Sequence, residues 1–274
     1  MLHLCSGNQL EILADQLASE LAIPSRNILE PELIAVPGPG FSRWLSLRMA
    51  HQNGICANIH WHSPAELIWC LFRATLPDAH LTNAFSPDVL VWRIFEILSN
   101  NQFTRKHTSL LNYLDSGDSV QCWQLAKQLG RVYEQYLIYR PDWILEWEQA
   151  GVTHWQAALW RELIDNGKNS HWLILQRQFL KLLTEDPSTL DKLPNRISLF
   201  ALPALSTSYL EVLQALSEHT EVIIYHQNFS KDYWADIVAT RSRRQAITCV
   251  NETSNHCLET GNSLLATMGR QGRE

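Results

Sequence analysis

Short apolar runs alternate with helical patterns at both ends of the chain, and a long stretch between them carries helical patterns only. Few layer architectures accept that order. Leu2-His3-Leu4-Cys5 is a short apolar run. Ser6-Gly7-Asn8-Gln9 follows with the Ser-x-x-Gln form of a capping box, and then Leu10, Leu13, Ala14, Leu17 and Leu21 recur at helical spacing. That predicts strand, loop, helix. The next unit repeats it: Glu32 to Val36 reads as a buried strand, Pro37-Gly38-Pro39-Gly40 as a turn, and Phe41 to His51 as a helix with Trp44, Leu45 and Met49. A third apolar run, Ile55 to Trp61, leads into Ser63-Pro64-Ala65-Glu66, where Ser63 caps, Pro64 takes the first helical position and Glu66 completes the box.

Between Pro77 and Asn195 the turn signals separate helices from helices. Cys122, Leu125, Ala126, Leu129, Val132, Tyr133, Tyr136 and Leu137 form one stripe. Ser86-Pro87-Asp88 opens another helix, and Pro141-Asp142 opens one in which Trp143 and Trp147 share a face. Strand patterns return at Ile197 to Leu202 and Glu221 to Tyr225, around a helix carrying Tyr209, Leu210, Leu213 and Leu216. The expected fold is α/β: residues 1–76 and 195–239 build one parallel sheet, residues 77–194 are an all-helical insertion, and 240–274 form a poorly ordered end rich in Asn, Ser, Thr, Arg and Gly.

Composition excludes some functions. Twenty-two Lys and Arg against 28 Asp and Glu give net −6, which rules out a histone-like basic binder but leaves room for a local basic groove. No apolar run reaches the roughly 18 residues of a membrane span, and the N-terminus lacks a secretory layout, so a soluble cytoplasmic chain is expected. Cys5, Cys56, Cys70, Cys122, Cys249 and Cys257 include no CxxC pair, so they are expected to be reduced thiols, mostly in the core. Core packing accounts for most of the eleven tryptophans, and exposed ones could stack on bases.

The opening strand, loop and helix stand where a phosphate loop would sit. Cys5 to Asn8 has one glycine and no GK[ST], and the only Gly-Lys pair, Gly167-Lys168, is followed by Asn169 inside the insertion. No strand ends in the acidic pair that would hold magnesium, and Leu202-Pro203 offers no carboxylate. His60 and His62 flank Trp61 on an extended segment but lack a third ligand nearby, and His256 with Cys249 and Cys257 is no better a metal set. Pro141-Asp142 with Glu146 and Glu148 superficially resembles a nuclease carboxylate set. It lacks the usual lysine and reads as a helix start. Arg43, after the Gly/Pro turn at the carboxyl edge of the sheet, needs solvent or a phosphate for its charge.

Met1-Leu2, Ser6-Gly7-Asn8, Glu30-Pro31-Glu32-Leu33-Ile34-Ala35-Val36, Trp44-Leu45, Gly54-Ile55-Cys56-Ala57-Asn58-Ile59, Pro64-Ala65 and Ile68-Trp69 together resemble the N-terminus of the RecC family, the gamma chain of exodeoxyribonuclease V. Gln135-Tyr136-Leu137-Ile138-Tyr139-Arg140-Pro141-Asp142-Trp143, Trp155-Gln156-Ala157, Leu159-Trp160 and Ala201-Leu202-Pro203-Ala204-Leu205 continue the resemblance. It implies a P-loop-helicase-like sheet, a degenerate superfamily 1 helicase domain whose ATP motifs have decayed. It also implies an N-terminal fragment of a longer subunit, since Gly261 to Gly269-Arg270 stops in mid-motif.

The partners so implied are single-stranded and duplex-end DNA, a RecB-like helicase-nuclease subunit and a RecD-like helicase subunit. ATP and magnesium belong to those subunits, and neither catalytic residue nor metal ligand is expected in this chain. The implied role is to help split the duplex and scan the 3′ strand for the recombination signal Chi. By the same resemblance Trp69, Glu134, Gln135 and Arg140 are DNA-contacting residues, with Arg43 and Arg131 as added donors. Each has a plainer reading: Trp69 can pack with Ile68, and Arg140 can pair with Asp142. Pro37, Pro39, Arg43, Ser63, Arg131 and Trp172 depart from the best-known members, which implies a different recognised DNA sequence. The competing function is a scaffold that docks partner subunits without touching DNA.

Overall fold

Parallel strands are joined by crossovers, so their hydrogen bonds need partners distant in sequence, and each strand tends to be short and apolar. The computed structural model describes residues 1–23, 29–76, 79, 85–114, 118–149, 151, 153–165, 171–185, 187–228, 230, 262, 264 and 266. Among these, five strands form one all-parallel sheet: β1 (Leu2–Gly7), β2 (Glu32–Ala35), β3 (Ile59–His62), β4 (Arg196–Phe200) and β5 (Glu221–Gln227), in the order β1-β5-β4-β2-β3. The α/β expectation is met. Glu32 pairs with Ile59, Leu33 with Ile197 and Leu4 with Ile224, so both halves of the strand pattern enter one sheet.

Helices α1 (Leu10–Leu21) and α2 (Pro39–Asn53) return the chain from β1 and β2. Leu13, Leu17, Leu45 and Met49 are buried with Ile34, Val36, Phe200, Ile223 and Tyr225, which makes one apolar core beneath these helices. Next come α3 (Pro64–Thr75), α4 (Pro87–Ser99), α5 (Asn101–Thr104), α6 (Thr108–Leu114), α7 (Ser119–Tyr139), α8 (Pro141–Glu148), α9 (Trp155–Asp165) and α10 (Trp172–Glu185). A 3₁₀ turn at Pro187–Lys192 leads to β4, and α11 (Thr207–Leu216) joins β4 to β5.

Two compact units result. One comprises Met1–Leu67, Pro194–Leu205 and Leu216–Glu274; the other comprises Ile68–Leu193 and Ser206–Ala215. In the helical unit the aromatics supply the core: Tyr133 and Trp160 are fully buried with ring centroids 5.4 Å apart, and Phe72 lies 5.0 Å from Trp172 and 5.2 Å from Phe179. Tyr133 donates its hydroxyl hydrogen to the Gln156 carbonyl, which satisfies a polar group that burial would otherwise penalise. The Trp143 and Trp147 rings stack 6.5 Å apart, as their shared face predicts.

Several local expectations need correction. Ser6 is paired with His226 in β1, so its backbone is extended and the Ser6–Gln9 capping box does not form. Helix α1 starts at Leu10, with Gln9 at the N-cap and no side-chain cap. The box at Ser63 does form: the Ser63 N–H donates to Glu66 Oε2 at 2.8 Å, and the Glu66 N–H donates to Ser63 Oγ at 3.3 Å. The run from Ile55 is not all strand. Gly54 ends α2 at φ +79°, Ile55 is exposed, and Asn58 at φ +57° turns the chain before β3 begins. Strand β4 stops at Phe200 because Ala201 sits at φ +50°. Of the four described thiols, all free, only Cys122 is buried. The expected disordered end lies outside the described residues apart from 262, 264 and 266, and Gly167-Lys168 lies outside them too.

Candidate nucleic-acid interface

A phosphate loop needs several residues between strand and helix so that successive N–H groups can face the anion. Here β1 ends at Gly7 and α1 begins at Leu10, so only Asn8 and Gln9 connect them. A Cβ on Gly7 would stand 3.3 Å from Leu13 of α1, so the chain closes onto its own helix at the place a phosphate would need. His60 and His62 lie on the same side of β3 with ring centroids 6.3 Å apart, and burial lowers the His62 pKa. Among the described residues no group of three or more His, Cys, Asp or Glu is arranged to hold a metal, and no helix is long and apolar enough to cross a membrane.

Helix α7 carries the strongest concentration of predicted contact residues. Its buried stripe is Cys122, Ala126, Leu129, Gly130, Tyr133 and Leu137. At 100° per residue, Gln124, Lys127, Gln128, Arg131 and Gln135 fall on the opposite side, all five are exposed, and each side chain can donate hydrogen bonds. A groove of about 480 Å³ runs along this face between Gln124 and Gln135. Arg131 and Gln135 are exposed and one turn apart. Glu134 is half-buried beside them, and burial first, then the charge of Asp88, pushes its carboxyl up.

Arg140 caps the end of α7, where its backbone N–H donates to the Tyr136 carbonyl at 2.9 Å. Its side chain is engaged locally. Nε donates to Asp142 Oδ1 at 3.1 Å and a terminal nitrogen donates to Oδ2 at 2.8 Å, while the guanidinium carbon lies 3.7 Å from the Trp143 ring centroid. The hydrogen bond to Asp142 holds the Arg140 pKa up, and the same bond holds the Asp142 carboxyl below its usual range. Both groups face solvent, so this pair contributes little to stability. It fixes the direction in which the guanidinium points.

Trp69 lies on α3 next to buried Ile68; its ring is half-buried, with an edge contact to Phe72 at 6.5 Å. Arg43 is exposed at the start of the second turn of α2, in the sheet unit, with no ion-pair partner among the described residues. The six predicted residues are divided between the two units. Arg131, Glu134 and Gln135 share one side of α7, Arg140 follows at its end, Trp69 stands on another helix of that unit, and Arg43 belongs to the other unit. Sequence reasoning missed Gln124, Lys127 and Gln128, although their i, i+3, i+4, i+7 spacing opposite the apolar stripe was readable. It also missed the ring pair of Trp92 and Trp123, 4.5 Å apart across α4 and α7, which no local spacing reveals.

Similarity to known proteins bears on what the chain is. A family profile described as the RecC N-terminal domain matches residues 2–274. Proteins named RecBCD enzyme subunit RecC are similar to the chain: that of Haemophilus influenzae is 32% identical over 265 residues, covering 84% of this chain and 24% of the relative. That of Escherichia coli K12 is 29% identical over 311 residues, covering all of this chain and 28% of the relative. That of Mycolicibacterium smegmatis is 28% identical over 284 residues, covering all of this chain and 25% of the relative. The chain thus spans about a quarter of the length of the curated relatives it matches.

Proposed function

The chain belongs to the RecC family, and from that membership we propose that it is the N-terminal part of a RecC-type subunit of a helicase-nuclease for DNA repair and recombination, one that touches DNA without turning over nucleotide. The family match across residues 2–274 carries the reading. The two-residue link from β1 to α1 supports the second half of it, because it leaves no cradle for a triphosphate. The all-parallel sheet is then a degenerate superfamily 1 helicase domain. A RecB-like helicase-nuclease and a RecD-like helicase supply ATP, magnesium and bond cleavage, while this subunit helps part the duplex and scans the 3′ strand for a Chi signal.

In this reading Arg131 and Gln135 present donors to phosphates or base edges from α7, and Trp69 offers the exposed part of its ring for stacking. Glu134 accepts from a base amine, and Arg43 adds a cation from the sheet unit. Arg140, with two nitrogens committed to Asp142, retains one face and one terminal nitrogen for a strand. That engagement is also the observation favouring the scaffold reading, since a cation already satisfied by its neighbour needs no phosphate.

The test uses the chain together with the helicase-nuclease and second helicase subunits, and compares the parent with Arg43→Ala and Trp69→Ala for assembly and for capture of single-stranded DNA. The DNA-contacting reading expects assembly to persist and capture to weaken. Unchanged capture with failed assembly would replace it with the scaffold.

A further inference from the structure

The helical unit carries a groove of whose lining only Arg131 is among the DNA-contacting residues named above. Between α4 and α7 a groove of about 400 Å³ is lined by Asp88, Val91, Trp92, Trp123, Lys127 and Arg131. Trp92 is 63% exposed, which is unusual for the residue type with most to gain from burial. Its ring meets Trp123 at a centroid distance of 4.5 Å and an angle of 53°, and Trp123 is in turn held by the edge of Phe95 at 5.7 Å. The inner ring is thus fixed, and the outer one is braced while one face stays open.

We infer that this groove seats single-stranded nucleic acid, with a base stacked on Trp92 and the phosphates held by Lys127 and Arg131. The inference rests on the DNA-contacting reading and extends it to Trp92, Trp123 and Lys127.

Charge decides between nucleic acid and a docked protein. A protein-binding patch needs an aliphatic or aromatic centre of some size. Along α7 the positions beside Trp123 are Gln124, Lys127, Gln128 and Arg131, and the exposed apolar side chains of that helix, Val120 and Tyr139, stand at its first and last turns. Lys127 and Arg131 have no ion-pair partner among the described residues. They sit one turn apart, about 6 Å along the axis, close to the reach of one nucleotide in an unstacked strand. Two carboxylates stand nearby. Asp88 of α4 lines the groove across from Lys127 and Arg131, and half-buried Glu134, on α7 near Arg131, has its pKa raised by burial first and then by the charge of Asp88. Those acids would repel phosphates, so the backbone of the strand follows Lys127 and Arg131 while a base reaches across to Trp92.

The experiment uses the full 274-residue chain and an oligothymidine bearing 5-iodouracil, which cross-links to aromatic side chains on irradiation, together with anisotropy titrations of the same strand at low salt. The expected result is a cross-linked peptide containing Trp92. Trp92→Ala should bind about five- to hundredfold more weakly, the range that loss of one stacked base gives, and Trp92→Phe should recover most of that. Lys127→Ala with Arg131→Ala should make the slope of log affinity against log salt shallower by about 1.4, two phosphates at about 0.7 each. Trp92 is exposed, so these chains should match the parent in circular dichroism. Cross-links confined to peptides carrying Trp69 or Arg43, with Trp92→Ala binding as the parent does, would overturn the groove and leave the DNA-contacting reading intact. No binding or cross-link by any chain at low salt would overturn both. Loss of assembly with the helicase-nuclease subunit in Trp92→Ala, with DNA binding unchanged, would mark the groove as a protein interface and overturn the inference.

Discussion

Arg196→Met should cost the sheet unit about 3–5 kcal/mol, the range for removing one partner of a buried ion pair. Arg196, the first residue of β4, has only 8% of its side chain accessible, and its partner Glu32, the first residue of β2, has 18%. The guanidinium grips both Glu32 oxygens, with Nε to Oε2 at 3.1 Å, and also donates to the Glu20 carbonyl at 2.9 Å and the Ile23 carbonyl at 3.3 Å. One side chain therefore ties two strands to the end of α1, where helical carbonyls run out of intrahelical donors. Methionine fills the space but leaves the Glu32 carboxylate without its guanidinium and takes one donor from each carbonyl, the Glu20 carbonyl keeping only the Ile23 N–H at 3.2 Å. The residual accessibility of Glu32 lets water reach it, so the lower end of the range applies, and at about 2–4 °C per kcal/mol the melting midpoint should fall by roughly 10 °C. Urea denaturation followed by circular dichroism measures the loss. Adding Glu32→Leu to Arg196→Met removes the stranded charge, so the double variant should be less destabilised than the sum of the singles by at least about 1 kcal/mol. A loss below about 1 kcal/mol for Arg196→Met, or strict additivity, would refute the reasoning.

Gly54→Ala should destabilise by about 1–2 kcal/mol, because Gly54 ends α2 at φ +79° and nothing stands within 4 Å of the added Cβ, so the cost is backbone conformation alone; equal denaturation midpoints would contradict that. Burial pushes the Glu148 carboxyl up, but the contacts from His171 Nε2 at 2.8 Å and Trp160 Nε1 at 3.2 Å outweigh it and leave the pKa lowered. A carboxyl lowered in the folded state contributes stability that is present above its unfolded value of about 4.3 and lost as pH falls through the folded value. Glu148→Gln should therefore flatten the acid limb of the stability profile below about pH 4.3, and an unchanged limb would count against the pairing. Purified chain should release no phosphate from ATP, given the two-residue link after β1; turnover that survives repurification and depends on metal would defeat this.

The sheet was legible because each strand carries its own signal: a short apolar run next to a helical period, twice over on either side of the helical stretch. Its failures were local contests. Ser6 looks like an N-cap from spacing, but pairing with His226, far along the chain, holds it in β1. Ile55 and Ile59 belong to one apolar run, yet left-handed backbone at Gly54 and Asn58 leaves the first exposed and starts the strand at the second. The Arg196–Glu32 pair joins residues 164 apart, a distance over which no spacing rule reaches. Trp92 and Trp160 both sit among aliphatics at helical spacing, but one is exposed and the other fully buried, because neighbouring helices decide which face is covered. For the site, α7 could be read from its amphipathic stripe, whereas the locking of Arg140 onto Trp143 and Asp142 needed coordinates.

How the chain meets single-stranded DNA tests its role most directly. Titrating labelled oligothymidine with the 274-residue chain across a range of salt gives the slope of log affinity against log salt, which counts the phosphates engaged at about 0.7 each. Binding should be weak, because the chain spans about a quarter of the length of its relatives, with a clearly negative slope of several phosphates. Tight binding indifferent to salt, or no binding at low salt, would contradict that role.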